Sequence, residues 1–362
     1  MSNECPKCSE YAEEGKTFCG ACGRSLNDKE PDEIESEKNW TEYSPGSQEV
    51  KPEKKQPRFL DQIFLAISLI IIFIAVFETI VLVINAPAVL DYLPDMSRPF
   101  GPYWMVPRLG AMFILKGVLL QIYWILIVIV TLVCVAFAIY KFIGAIKPSK
   151  GTTEPDGENT CFFWIGVLMS AYFLIHFVVA LMVPDETVPD FGTKFEQMFR
   201  FANAGVWEEL ASRLLFIGVP MTIISLIITK KKESLKCLLG GFGMSQTAIV
   251  LMIISGAIFG LAHIEWGVWK VLPTGVMGVF LGYLFVRFGL YAAILMHFVV
   301  DFASAFDWMG VGGLWVYLFL TLIVIGAVAI YYLVRRTTES IPSINALPAF
   351  KNDYAEKDKE YL

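Results

Sequence analysis

Between Phe59 and Val334 the chain is built from apolar blocks separated by short polar connections. Each block is roughly 20 residues long, the length that crosses a hydrocarbon core. Eight such spans are predicted, at about 60–85, 112–145, 161–183, 203–229, 246–264, 269–287, 290–306 and 312–334. The pattern predicts an all-α polytopic membrane protein whose helical domain covers 58–336. Small residues recur at helix-packing spacing, as in Gly256/Gly260 and Gly278/Gly282, which lets backbones approach closely. Pro220 and Pro273 interrupt two spans and are expected to kink them.

Three spans break the apolar pattern. The fourth opens with Trp207-Glu208-Glu209-Leu210-Ala211-Ser212-Arg213, the fifth ends in Phe259-Gly260-Leu261-Ala262-His263, and the seventh holds His297-Phe298-Val299-Val300-Asp301. A carboxylate or guanidinium near mid-span costs ~2.5–3.5 kcal/mol on insertion scales, so ionisable groups there read first as a functional site. Of the three histidines in the chain, two lie in these stretches. The third, His176, reads as a satisfied core or interfacial histidine. Glu78, alone in the first span, reads as reaching a cavity or pairing with Lys116. Tyr103, Trp104, Trp207, Trp266, Trp269 and Trp308 fall near span ends and read as interface anchors.

Composition agrees with the membrane reading: 56% of the 362 residues are hydrophobic and only 18% charged, against about 25% charged in soluble domains. The net charge of −6 comes largely from the polar ends. Lysines and arginines are scattered at loop edges, which excludes a nucleic-acid patch. No basic-then-apolar leader opens the sequence.

Four of the seven cysteines form Cys5-Pro6-Lys7-Cys8 and Cys19-Gly20-Ala21-Cys22. Paired thiolates at this spacing suit tetrahedral zinc. Residues 1–26 therefore resemble a miniature zinc ribbon, with a structural zinc on Cys5, Cys8, Cys19 and Cys22, a reducing cytoplasmic location and a possible protein partner. Residues 27–57, rich in Glu, Lys, Pro and Ser, read as a flexible linker, and 337–362 as a polar C-terminal tail. Cys134, Cys161 and Cys237 read as small buried hydrophobes.

Basic residues orient the spans. Lys54, Lys55 and Arg58 precede the first. Lys141, Lys147 and Lys150 end the second, Lys230, Lys231, Lys232 and Lys236 follow the fourth, and Arg335 and Arg336 follow the eighth. All fall on one side of an eight-span chain, which predicts a multi-pass protein of the cell membrane with both termini cytoplasmic.

On a helix, positions four apart share a face, so Glu209 and Arg213 are expected to pair. Glu208 lies roughly 100° round the helix and has no local partner. His297 and Asp301 again share a face, and the Phe259 ring stands one turn before His263. Glu208, His263, His297 and Asp301 together are what water activation needs. They can bind zinc with one position open for water. Alternatively, Glu208, helped by His263, takes the proton while His297 stabilises an oxyanion.

Glu-Glu-x-x-x-Arg, Phe-x-x-x-His and His-x-x-x-Asn/Asp, in three membrane spans in that order, resemble the CPBP (CAAX protease and bacteriocin-processing, or ABI) family of intramembrane endopeptidases, over a protease core at about 160–310. The resemblance implies a bundle of about eight helices acting on a membrane-associated protein or peptide in the bilayer. It implies Glu208 as general base with His263 assisting, His297 and residue 301 at an oxyanion pocket, and Glu209 and Arg213 as support. This chain has Asp301 where the better-studied CAAX proteases have Asn. An ionised Asp cannot donate a hydrogen bond, so Asp301 is protonated, orients His297 or binds metal. A non-catalytic scaffold or immunity-type protein recruiting a partner through the ribbon is the alternative, and a transporter the third. No internal repeat of the kind transporters show is present.

Overall fold

The computed structural model describes residues 59–96, 100–103, 111–147, 160–183, 192–230 and 232–340. The cysteine module at 1–26 and the linker at 27–57 lie outside them, as do residues 341–362 of the tail. The described part is a bundle of helices: α1 (Phe59–Tyr92), α2 (Val118–Ile146), α3 (Cys161–Met182), α4, α5 (Gln246–Ala262), α6 (Val268–Phe288), α7 (Leu290–Asp301) and α8 (Gly312–Ser340). Helix α4 is continuous through three windings, Lys194–Glu209, Leu210–Gly218 and Val219–Thr229. Short turns, Phe302–Ser304 and Ala305–Trp308, extend α7. Seven of these helices are long and apolar enough to cross a membrane; α5, with 17 residues, is shorter. Side chains such as Leu119, Ile122, Leu126 and Val133 on α2 and Val324 and Val328 on α8 are exposed, as a lipid-facing surface requires. The chain is a multi-pass membrane protein.

Helix starts follow local chemistry. Thr160, Thr193 and Ser245 each accept a hydrogen bond from the backbone N–H three residues on, which caps α3, α4 and α5. Helix α4 starts at Lys194, not near 203 as hydropathy predicts. Its first turns are amphipathic, with a Glu196–Arg200 pair at 2.6 Å on one face and Met198, Phe199 and Ala202 buried on another. Hydropathy averages such a segment away. Helix α2 starts at Val118, later than the predicted 112. Residues 111–115 are instead paired antiparallel with 100–103, through bridges Phe100–Leu115 and Tyr103–Ala111. Gly117, at φ +54°, then turns the chain into the helix. Helix α8 runs to Ser340, so the tail predicted from 337 begins as helix.

Successive helices run in alternate directions. The start of α3 meets the ends of α2 and α8, with Phe162 on Phe142 and Trp164 on Tyr332. Its other end meets the starts of α6 and α8, with His176 on Trp269 and Phe173 on Trp315. Helix α5 lies against α6 through glycine. A Cβ at Gly260 would stand 2.5 Å from the Val271 carbonyl oxygen, and one at Gly256 2.9 Å from the Val279 nitrogen. Gly205 does the same between α4 and α7: a Cβ there would be 3.0 Å from the Phe298 nitrogen.

The π-helical winding Leu210–Gly218 stands directly before Pro220. Proline has no N–H to give the carbonyl four residues back, and its ring crowds that carbonyl. Widening the winding relieves this without breaking the span. The expected kink is thus a π segment. Such segments collect at functional sites, and this one begins one residue after Glu209. Pro273 lies inside α6, which continues through it.

Candidate active site

The close approach of α4 and α7 at Gly205 sets the centre. Glu208 and Glu209 end the first winding of α4, and His297 faces them from α7. Glu209 is fully buried. Its Oε2 accepts from Arg213 Nε at 3.0 Å, and its Oε1 lies 2.8 Å from His297 Nδ1. Arg213, also fully buried, donates through Nη1 to Ser255 Oγ on α5 at 2.8 Å, and its guanidinium lies 4.8 Å from the Phe259 ring centroid. The expected Glu209–Arg213 pair is present, and it also holds His297.

The other face of His297 meets two carboxylates. Its Nε2 is 3.3 Å from Asp301 Oδ2 and 3.8 Å from Glu208 Oε2. His263 Nε2 is also 3.8 Å from Glu208 Oε2. The His263 Nδ1 lies 2.8 Å from the Phe259 carbonyl oxygen. A carbonyl only accepts, so Nδ1 carries a proton and Nε2 is the ring nitrogen turned toward Glu208. The Phe259 ring packs on both imidazoles, at 4.9 and 5.7 Å between centroids. The structure thus brings Glu208, His263, His297, Asp301, Glu209, Arg213 and Phe259 together.

Glu208 is 5% exposed. Its Oε1 accepts from the Tyr103 hydroxyl, while Oε2 has no hydrogen-bond partner. Separations of 3.8 Å to two imidazoles are too long for direct hydrogen bonds and suit a bridging water. The centre lines a cavity of about 850 Å³. Phe100, Tyr172, Phe201, Trp266 and Trp315 give it an aromatic wall, and Arg200, Glu265 and Lys270 add charge. Among the described residues no group of three or more His, Cys, Asp or Glu side chains is arranged to hold a metal.

Tyr103 is the participant that sequence reasoning missed. Read as an interface anchor, it instead reaches the buried Glu208, because the pairing of 100–103 with 111–115 folds this connection over the cavity. Trp207, also read as an anchor, donates from Nε1 to the Tyr103 carbonyl at 2.9 Å and fixes that segment. Burial first, and the neighbouring Glu208 carboxylate second, hold the Tyr103 phenol well above the usual tyrosine range. His176 lines the cavity beside Tyr172 and Trp269, with its Nδ1 buried and unbonded. Glu78 is fully buried and neither carboxyl oxygen has a hydrogen-bond partner, so the pairing with Lys116 does not form.

Comparison with known proteins bears on this same stretch. No curated protein and no solved structure matches the chain. A family model described as type II CAAX prenyl endopeptidase, Rce1-like, matches residues 195–303, from the first turn of α4 to just past Asp301. This stretch contains Glu208, Glu209, Arg213, His263, His297 and Asp301, and its similarity to that family supports a CAAX-type intramembrane protease.

Proposed function

We propose that the protein is a glutamate-type intramembrane endopeptidase that hydrolyses a peptide bond of a membrane-associated protein or peptide. One observation carries this reading: in Glu208, a cavity-lining residue, Oε2 is buried and unbonded and stands 3.8 Å from both imidazole Nε2 atoms. A water in that gap reaches a base and two imidazoles at once.

In the proposed reaction Glu208 takes a proton from the water, and the hydroxide oxygen forms a bond to the scissile carbonyl carbon. Tyr103, donating to Oε1, leaves Oε2 as the basic oxygen. His263, with its own proton held by Phe259, accepts a hydrogen bond from the water and orients it. His297 donates from Nε2 to the oxyanion. Glu209 holds its Nδ1, and Asp301 sets its tilt, which is the orienting role an ionised aspartate can fill. When the tetrahedral intermediate collapses, the carbon–nitrogen bond breaks and Glu208 returns its proton to the leaving amine. General-base assistance contributes about 10²–10⁴-fold, and an oxyanion donor about 10²–10³-fold.

Among the described residues no three His, Cys, Asp or Glu side chains are grouped to hold a metal, and Glu208 acts as the base itself. The test is cleavage of a membrane-anchored fluorogenic peptide in proteoliposomes. Glu208→Ala is expected to lower the rate by about 10²-fold or more while the protein still folds and reconstitutes. Wild-type cleavage by Glu208→Ala would sink the reading and favour a non-catalytic scaffold of the same fold.

A further inference from the structure

The cavity and the basic segments lie at opposite ends of the bundle. The cavity is lined by residues at one end only: Phe100 and Tyr103 after α1, Arg200 and Phe201 near the start of α4, and Glu265 and Trp266 between α5 and α6. Glu265 and Trp266 are exposed. Toward the other end the centre is closed. Glu209 and Arg213 are fully buried, and Ile217 and Phe285 lie beneath them with no exposure. Beyond those, the Gly241 and Gly243 N–H groups donate to the Phe285 and Val286 carbonyls at 2.8 and 3.0 Å and seal the connection 240–243 against α6.

The helix ends on that closed side border sequence rich in lysine and arginine: Lys54, Lys55 and Arg58 precede α1, Lys147 and Lys150 follow α2, Lys230, Lys231, Lys232 and Lys236 follow α4, and Arg335 and Arg336 lie near the end of α8. On the cavity end lysine and arginine are fewer: Arg98, Arg108 and Lys116 between α1 and α2, Lys194 and Arg200 in the first two turns of α4, and Lys270 at the start of α6. Short connections rich in lysine and arginine stay cytoplasmic. The alternating helix directions, α5 included, then fix the cavity end on the other side.

We propose that the site admits its substrate from the extracytoplasmic face. The substrate class is then a membrane-anchored polypeptide whose cleavable stretch lies outside the cytoplasm, next to the bilayer. The substrate assignment rests on the protease reading, whereas the orientation does not. The aromatic wall and the depth of Glu208 below the rim suit an extended, apolar segment entering from that side.

The test uses the full chain in cells, with Glu265→Cys on the cavity end and Lys236→Cys on the closed end; both native residues are exposed. A membrane-impermeant maleimide is added before or after permeabilisation, with the parent chain as background. The expected result is that Glu265→Cys gains label in intact cells and Lys236→Cys gains it only after permeabilisation. The reverse pattern, or equal labelling of both in intact cells, overturns the orientation. If neither cysteine labels, an epitope inserted after Gly310 decides: digestion by protease added to sealed cells supports the proposal, and protection overturns it. Anchored reporters with the peptide on either face test the substrate class. Glu208-dependent cleavage of the outer reporter supports it, and cleavage of the cytoplasmic one alone overturns it. Absence of Glu208-dependent cleavage on both faces overturns the protease reading, and the substrate class with it, while the labelling still fixes the orientation.

Discussion

Glu208 has one direct hydrogen-bond partner among the described residues, the Tyr103 hydroxyl. A hydrogen bond to a charged group contributes about 1.5–3 kcal/mol, so Tyr103→Phe is expected to lower kcat roughly tenfold or more without unfolding the protein. The pH dependence follows from the direction of the Tyr103 shift. A phenol is neutral when protonated, and here burial and Glu208 push its deprotonation to higher pH. The donor therefore survives through the ordinary tyrosine range near ~10, and the rate should show no alkaline limb there. A wild-type limb near that pH that disappears in Tyr103→Phe would contradict this. Arg213 sets a second balance. Removing one partner of a buried pair leaves an uncompensated charge, at a cost of about 3–5 kcal/mol. Arg213→Met should lower thermal stability strongly, because Glu209 is fully buried. Adding Glu209→Leu should restore much of that stability, since no lone charge is left, but not activity, since His297 Nδ1 loses its acceptor. Thermal unfolding and cleavage rates of the two variants separate the effects.

Helix contacts carry the site as much as its polar groups do. His263 ends α5, and its height against Glu208 depends on how closely α5 lies on α6. A Cβ at Gly260 would meet the Val271 carbonyl oxygen at 2.5 Å, backbone that cannot yield, whereas one at Gly275 would meet the Gly256 carbonyl oxygen at an ordinary 3.6 Å. Gly260→Ala is expected to destabilise by about 1–3 kcal/mol and to lower activity by displacing His263. Gly275→Ala should be close to wild type in both, and equal effects of the two on melting temperature would refute the argument. What the sequence made legible divides along the same line. Glu209–Arg213 and His297–Asp301 could be read because a single helix fixes partners four apart. The convergence of Glu208 with His263 and His297 could be read only through motif order, since nothing local joins three helices. The pairing of His297 with Glu209 was illegible for that reason: it depends on Gly205 letting α7 reach α4. Tyr103 was illegible because 100–103 has no apolar period and comes to Glu208 through its pairing with 111–115, residues that hydropathy assigns to a span. The π winding had a visible cause in Pro220, but a proline equally predicts a kink.

At the scale of the whole molecule, the proposed zinc module and the proposed hydrolytic centre call for different ligands. Cys5, Cys8, Cys19 and Cys22 lie outside the described residues, and we propose that they bind one structural zinc as soft tetrahedral ligands. The membrane centre offers a different donor set. It presents nitrogen and oxygen rather than sulfur, with the His263 and His297 Nε2 atoms turned toward Glu208, and no metal-holding group is found among the described residues. If both readings hold, the purified full-length protein carries one zinc per chain. That zinc should be lost in Cys8→Ser combined with Cys22→Ser and kept in His263→Ala and His297→Ala, while hydrolysis follows the opposite pattern, surviving the cysteine changes and failing with the histidines. Elemental analysis beside cleavage assays of the four preparations reads both at once. Zinc that leaves with either histidine would move the metal into the membrane centre and turn Glu208 from the proposed lone base into a partner of metal-bound water. Zinc retained by the cysteine variant would remove the ribbon reading, because thiolates are the ligands on which it rests.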